Sequence, residues 1–241
     1  MISIINLILI KLLILLPKSF VKVFANRYVA GETHEEALHI VKKINRKGFS
    51  VTLDILGEHT TDKSMASNIA SEYLELYDKI NNQNLECNIS VKPSHIGLDI
   101  SEEEFLNNID KISKKADSLN NFLRIDMEDS RATDITINAY KKLRSKTDKV
   151  GTVFQAYLFR TFEDIKKIKD LGLNIRLCKG IYKEDSKISL QNRKQINKNY
   201  LKILKYSFEN DIYVGIATHD SDLISKVYNL INDMNIKNDR F

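Results

Sequence analysis

Cysteine, proline and glycine are scarce in this chain, at two, two and eight of 241 residues. Two cysteines cannot build a disulfide framework, and Cys87 and Cys178 both sit in apolar, strand-like surroundings. They read as buried thiols rather than a bridge or a metal pair, which points to a reducing compartment and a cytoplasmic protein. The low glycine and proline content excludes collagen-like and low-complexity classes, and 43% apolar residues exclude intrinsic disorder. No large excess of one charge is present. The formal net charge is +5, and lysines alternate with acids in "KKIKD" and "YKKLRSKTDK", a solvated helix face rather than a nucleic-acid stripe. A Gly-x-Gly-x-x-Gly turn is missing after the first strand-like run. That disfavours an open dinucleotide-binding sheet.

Only one long hydrophobic run occurs, Ile2 to Leu16, and Lys11 interrupts it. It falls short of the roughly 20 residues that span a bilayer. No Lys or Arg precedes Ile2, and Pro17-Lys18-Ser19-Phe20 offers no cleavage site, so a secretory signal does not fit. Residues 1–26 are expected to form an apolar helix packed on the domain, in preference to an anchor on the membrane surface.

From Thr33 onward the pattern is regular. Thr33-His34-Glu35-Glu36 and Ser101-Glu102-Glu103-Glu104 are capping boxes that open amphipathic helices. Strand-like runs "FSVTLDILGE", "CNISVKP", "FLRIDME", "GTVFQAYL", "NIRLCKG" and "IYVGIATHD" alternate with helical ones, the last helix falling near Leu223 to Asn232. Mostly apolar strands separated by helices predict a parallel sheet with helices outside, and polar residues at the strand ends favour a (β/α)8 TIM-type barrel. Only about six strand–helix units are present, so the barrel, residues 27–241, is expected to be incomplete.

The strand ends deliver Asp54 and Glu58, Lys92, Asp126 with Glu128 and Asp129, Gln155 and Tyr157, Arg176 with Lys179 and Tyr182, and Thr218-His219-Asp220. Each has an ordinary reading: Lys92 as a surface lysine, Asp126 as a helix cap, His219 as a structural histidine. The acidic cluster has no accompanying histidine, so no metal site is expected. Arg176 is different. A cation inside an apolar strand needs an anion, because an unpaired one costs several kcal/mol. Asp126, Glu128 or an anionic ligand could supply it, and two cations at one strand end would stabilise negative charge developing there.

In order along the chain, "RYVAGETHEEAL", "LDILGEHT", "ISVKPSHIGLDIS", "LRIDMEDSRATDIT", "VFQAYLFRT", "NIRLCKGIYKE" and "IYVGIATHD" resemble the proline dehydrogenase family of flavoenzyme barrels, from Arg27 to Asp220. The resemblance implies FAD-dependent oxidation of L-proline to Δ1-pyrroline-5-carboxylate, the first step of proline catabolism, with electrons passed to a membrane quinone. It implies FAD contacts at Met127, Gln155, Lys179, Gly180, Ile181, Thr218 and His219. Asp126 and Arg176 fall on catalytic positions, and Lys92 and Tyr182 on substrate-facing ones. Asp126 and Lys92 would form a charge-paired floor under the proline ring. A quinone acceptor implies peripheral contact with the inner face of the membrane; no nucleic acid and no metal are implied.

In that family a further strand with a cofactor-holding glutamate, and a last helix with paired arginines for the proline carboxylate, follow the point reached by Phe241. Arg240 matches no such pair. The expectation is a C-terminally truncated chain that binds proline poorly even if it keeps some affinity for FAD. Two other readings stay open: a Schiff-base aldolase-type barrel with Lys92 or Lys179 as nucleophile, and an inactive remnant whose unclosed barrel exposes strand edges.

Overall fold

The computed structural model describes residues 29–241, and the expected apolar helix over residues 1–26 lies outside them. The described residues fall into two compact units. The first ends at Val51 and takes in Asn82–Cys87; the second comprises Thr52–Asn81 and Asn88–Phe241.

In the first unit, helix α1 (His34–Asn45) begins at Thr33, whose side chain accepts the Glu36 amide, while the Glu36 carboxylate reaches back to the Glu32 amide at 2.8 Å. One orphan donor of the first turn and the amide of the residue ahead of the cap are thereby satisfied. Asn45, at the end of α1, donates to the carbonyls of Phe49 (2.9 Å) and Glu86 (3.1 Å), and the Glu86 amide donates back to its Oδ1.

Six strands form one sheet in the order β1 to β6: Val51–Leu53, Cys87–Val91, Leu123–Ile125, Val150–Gln155, Asn174–Cys178 and Tyr213–Ile216. From β2 to β6 every neighbour pair is parallel. Helices α2 (Lys63–Asn82), α3 (Glu102–Ser118), α4 (Thr133–Arg144), α5 (Thr161–Ile168), α6 (Arg193–Glu209) and α7 (Ser221–Asp233) follow the successive strands. A sequential strand order has no switch point of the doubly wound kind, and a helix after each strand is the barrel arrangement. The sheet is the curled, incomplete (β/α) barrel that the strand count predicts.

Packing follows from composition. Ile89, Val91, Leu123, Ile125, Val150, Ile175, Leu177 and Val214 are buried in the sheet, and Tyr73, Phe105, Ile109, Tyr140 and Tyr200 are buried on the helices. Each such side chain contributes about 1.5–3 kcal/mol on leaving water. The hydroxyls of Tyr73, Tyr140 and Tyr200 find partners. Tyr200 donates to the Leu177 carbonyl at 2.8 Å and accepts the Ala217 amide at 3.2 Å, which ties the exits of β5 and β6 together. Fourteen residues of loop, 179–192, separate β5 from α6, which starts where the Asn192 side chain caps it.

Candidate active site

The strands set the site by where they stop. β1 ends at Leu53, β3 at Ile125 and β5 at Cys178, so Asp54, Asp126 and Lys179 are the first residues past their strands. Parallel strands with a sequential order bring those exits to one rim.

Arg176, the central residue of β5, takes Asp126 as its anion: Nη1 lies 3.3 Å from Oδ1. Asp126 also accepts a short hydrogen bond from the Ser90 hydroxyl. Burial pushes the Asp126 carboxyl above the usual range, opposed by the Ser90 hydroxyl and by Arg176 and Lys92. Lys92 turns instead to Asp54, with Nζ 2.6 Å from Oδ2. The expected floor of Asp126 with Lys92 is thus built differently, because Asp54 is reached first and Asp126 is already held by Ser90 and Arg176. Burial pulls the Lys92 ammonium down, yet the hydrogen bond and charge of Asp54 outweigh it and the net shift is upward.

Lys179 pairs with Asp220, which also accepts from Arg193 (2.9 Å) and Asn197 (2.9 Å) and caps α7 through the Leu223 amide. Those donors hold the Asp220 carboxyl well below the ordinary range, the Lys179 hydrogen bond foremost. Thr218 accepts the Asp220 amide at 3.1 Å, and His219 beside it is exposed. Gly180 has φ +109°, and a Cβ there would run into the Tyr157 ring. Tyr157 is buried, with its hydroxyl unpartnered among the described residues. Ile181 is 89% exposed at the same turn. Met127 is buried, and Gln155 donates to the Glu128 carbonyl at 2.8 Å. Tyr182 lies with its hydroxyl 3.5 Å from Glu58.

Several partners escaped the sequence reading. Asp54 and Asp220 stood among the strand-end residues without an assigned partner; Ser90, Arg193 and Asn197 were not singled out. Ser90 was findable, as a polar residue two before Lys92 on the strand and therefore on the same face. Among the described residues no group of His, Cys, Asp and Glu could hold a metal ion.

Fold and rim together define a β/α-barrel protein with a partly buried site of paired charges at the strand exits. A family model for proline dehydrogenase matches residues 37–241, and the chain belongs to that family. It is 36% identical over 217 residues to Proline dehydrogenase 1 of Bacillus subtilis subsp. natto, covering 90% of this chain and 72% of that one. It is 30% identical over 222 residues to Proline dehydrogenase of Deinococcus radiodurans, with the same coverage of 90% and 72%. Among solved structures, proline utilization A (PutA) from Bdellovibrio bacteriovorus inactivated by N-propargylglycine superposes with a TM-score of 0.82 at 23% identity. That match covers 92% of this chain but only 28% of the much longer PutA chain, and it speaks for the barrel fold.

Proposed function

We propose that this barrel oxidises L-proline to Δ1-pyrroline-5-carboxylate with FAD as cofactor and a quinone as electron acceptor. The observation that carries the reading is the Arg176–Asp126 pair standing beside Lys179 within "NIRLCKGIYKE". When bound, FAD would take up the hydride from the substrate ring. The residues present suit such a group. Gly180 lets the Tyr157 ring pack directly on the backbone at the β5 exit, Ile181 offers an uncovered apolar side chain, and the Tyr157 hydroxyl has no partner among the described residues. Met127, Gln155, Lys179, Gly180, Ile181, Thr218 and His219 would hold the cofactor.

The side chains would act by charge and position. Arg176 and Lys179 stabilise negative charge developing on the cofactor, a contribution worth about 3–4 kcal/mol for a preorganised donor in a water-poor site. Asp126, fixed by Ser90, keeps Arg176 in place. Lys92, fixed by Asp54, presents a cation at the substrate side, and Tyr182 packs against the ring. Such restraint favours near-attack geometry. A Schiff-base role for Lys92 is disfavoured, since its pairing with Asp54 keeps the ammonium charged where that chemistry needs a free amine. Among the described residues no helix is long and apolar enough to cross a membrane. A quinone acceptor would bring a cytoplasmic enzyme to the inner membrane face, with residues 27–241 as its barrel domain.

The test is an absorbance spectrum of the purified chain with FAD, before and after anaerobic L-proline. A bound-flavin spectrum that bleaches supports the reading. Failure to retain flavin, or bound flavin indifferent to proline, overturns it for this chain.

A further inference from the structure

Around the rim, two serines are gripped in the same way. The Ser94 amide donates to Glu128 Oε2 at 2.7 Å and its hydroxyl to Oε1 at 2.5 Å. The Ser130 amide donates to Glu184 Oε1 at 2.6 Å and its hydroxyl to Oε2 at 2.8 Å. Each carboxylate thus fixes both the backbone and the side chain of one serine.

The two clamps are linked. Glu128 and Ser130 belong to the turn after β3, so that turn is the bridge between them. Beyond Ser94 the path continues into the loop after β1: the Ser94 hydroxyl accepts the His59 amide and its carbonyl accepts the Thr60 amide, each at 3.1 Å. Beyond Glu184 it continues into the loop after β5, which carries Tyr182. The Tyr182 hydroxyl at 3.5 Å from Glu58 closes the circuit. Inside lies a cavity of about 190 Å³ lined by His59, Ser94, Glu128 and Tyr182 among others. The loop after β1 is also keyed at Gly57, where a Cβ would strike the His95 ring.

We propose that the Glu128–Ser94 and Glu184–Ser130 clamps are positioning elements that hold Tyr182 and Glu58 as the substrate-side wall of the site. The identity of the substrate rests on the proline reading; the clamps do not. A plain loop staple would not need this chemistry. Glu128 is only 4% exposed, and burying a carboxylate is costly where an apolar contact would secure a loop. What the carboxylate adds is two directional bonds to one residue, which fixes orientation as well as proximity. The carbonyl of Glu128 accepts from Gln155, so the same turn connects the wall to the proposed cofactor side.

Glutamine can keep both contacts of either clamp, its carbonyl accepting the serine amide and its NH2 donating to the hydroxyl, whereas alanine loses both. In the FAD-loaded protein, Glu128→Ala and Glu184→Ala are expected to raise KM for L-proline about tenfold with kcat nearly unchanged, and the Gln variants to restore it. Ala variants that melt earlier but keep KM, or Gln variants no better than Ala, would overturn the proposal. A second readout needs no turnover. The chain has no tryptophan, and Leu56, 81% exposed in the same loop, accepts one as a reporter. In Leu56→Trp protein, fluorescence anisotropy should fall when Glu128→Ala is added; an unchanged anisotropy overturns the clamp. A fall in anisotropy from a protein whose flavin ignores proline would instead sink the substrate assignment and support the clamp.

Discussion

Arg124 on β3 and Arg176 on β5 are both withdrawn from bulk water, and they are satisfied in opposite ways. Arg124, 7% exposed, donates to the carbonyls of Thr152 and Asn174 at 3.2 Å each and to Asn174 Oδ1 at 2.8 Å. Its guanidinium lies over the Phe122 ring, 4.9 Å from the centroid. No carboxylate is among these partners, and burial draws its pKa down to about 10. Arg176 has one carboxylate at 3.3 Å and keeps 27% of its side chain exposed. A cation spread over peptide dipoles closes a region off, whereas a cation with a single anion and an open side leaves donors for something else. The first arrangement belongs to stability and the second to a site.

That contrast is broken or sharpened most directly by removing each guanidinium. Arg176→Met is expected to lower kcat/KM for L-proline by about 10²- to 10³-fold, with a smaller loss of stability than Arg124→Met, because Asp126 keeps the Ser90 hydroxyl and can take up a proton. Arg124→Met should do the reverse. It strands two carbonyls and the Asn174 amide oxygen, so a loss of about 3 kcal/mol is expected in urea unfolding, with flavin binding per folded molecule unchanged. Equal losses of stability in the two variants would erase the distinction.

Within the site the two rim aspartates differ again. Asp126 is shifted up because burial exceeds what Ser90 and Arg176 return, while Asp220 is shifted down by Lys179, Asn197 and Arg193. The signs follow. A raised carboxyl favours the fold at acid pH and loses that contribution as pH rises through its folded-state value. A depressed one stabilises above the ordinary value of 3.8 and loses the contribution as pH falls through its folded-state value. Asp220→Asn keeps a competent helix cap and removes the charge. Its stability deficit at neutral pH should therefore shrink as urea melts are carried below pH 3.8. A deficit independent of pH would mean that Asp220 acts only as a cap.

Much of the barrel was legible because its signals are local. Alternating runs, the Thr33 and Ser101 caps and the polar strand ends are properties of short windows, and they placed every strand and the rim residues. Partner choice was not local. Lys92 could be assigned a face, but not the choice of Asp54 over Asp126, which depends on how far each strand extends before it turns. Ser94 and Ser130 look like ordinary loop serines, and their grip on Glu128 and Glu184 spans 34 and 54 residues of sequence. The family motifs marked Lys179 and His219 but gave no hint that Asp220, between His219 and a helix, gathers three side-chain donors.

The smallest expected effect lies at the outer edge of the rim, where His59 Nδ1 is 2.7 Å from Asp99. Asp99, by hydrogen bond first, raises the His59 pKa above 6.5, helped by the charges of Glu128 and Glu58 against a small cost of burial. The folded-state value being the higher one, the contribution is complete below 6.5 and disappears as pH rises through the folded-state value. His59 is 58% exposed, so screening limits the pair to a few tenths of a kcal/mol, about 0.5 at most. His59→Asn is the informative change. Its φ of +57° is left-handed, which asparagine accepts as readily as histidine, so any backbone effect is a constant offset at all pH values. The readout is the slope. Wild-type stability should decline relative to His59→Asn between pH 6 and 9, and parallel curves would show that the ion pair contributes nothing to holding the loop after β1.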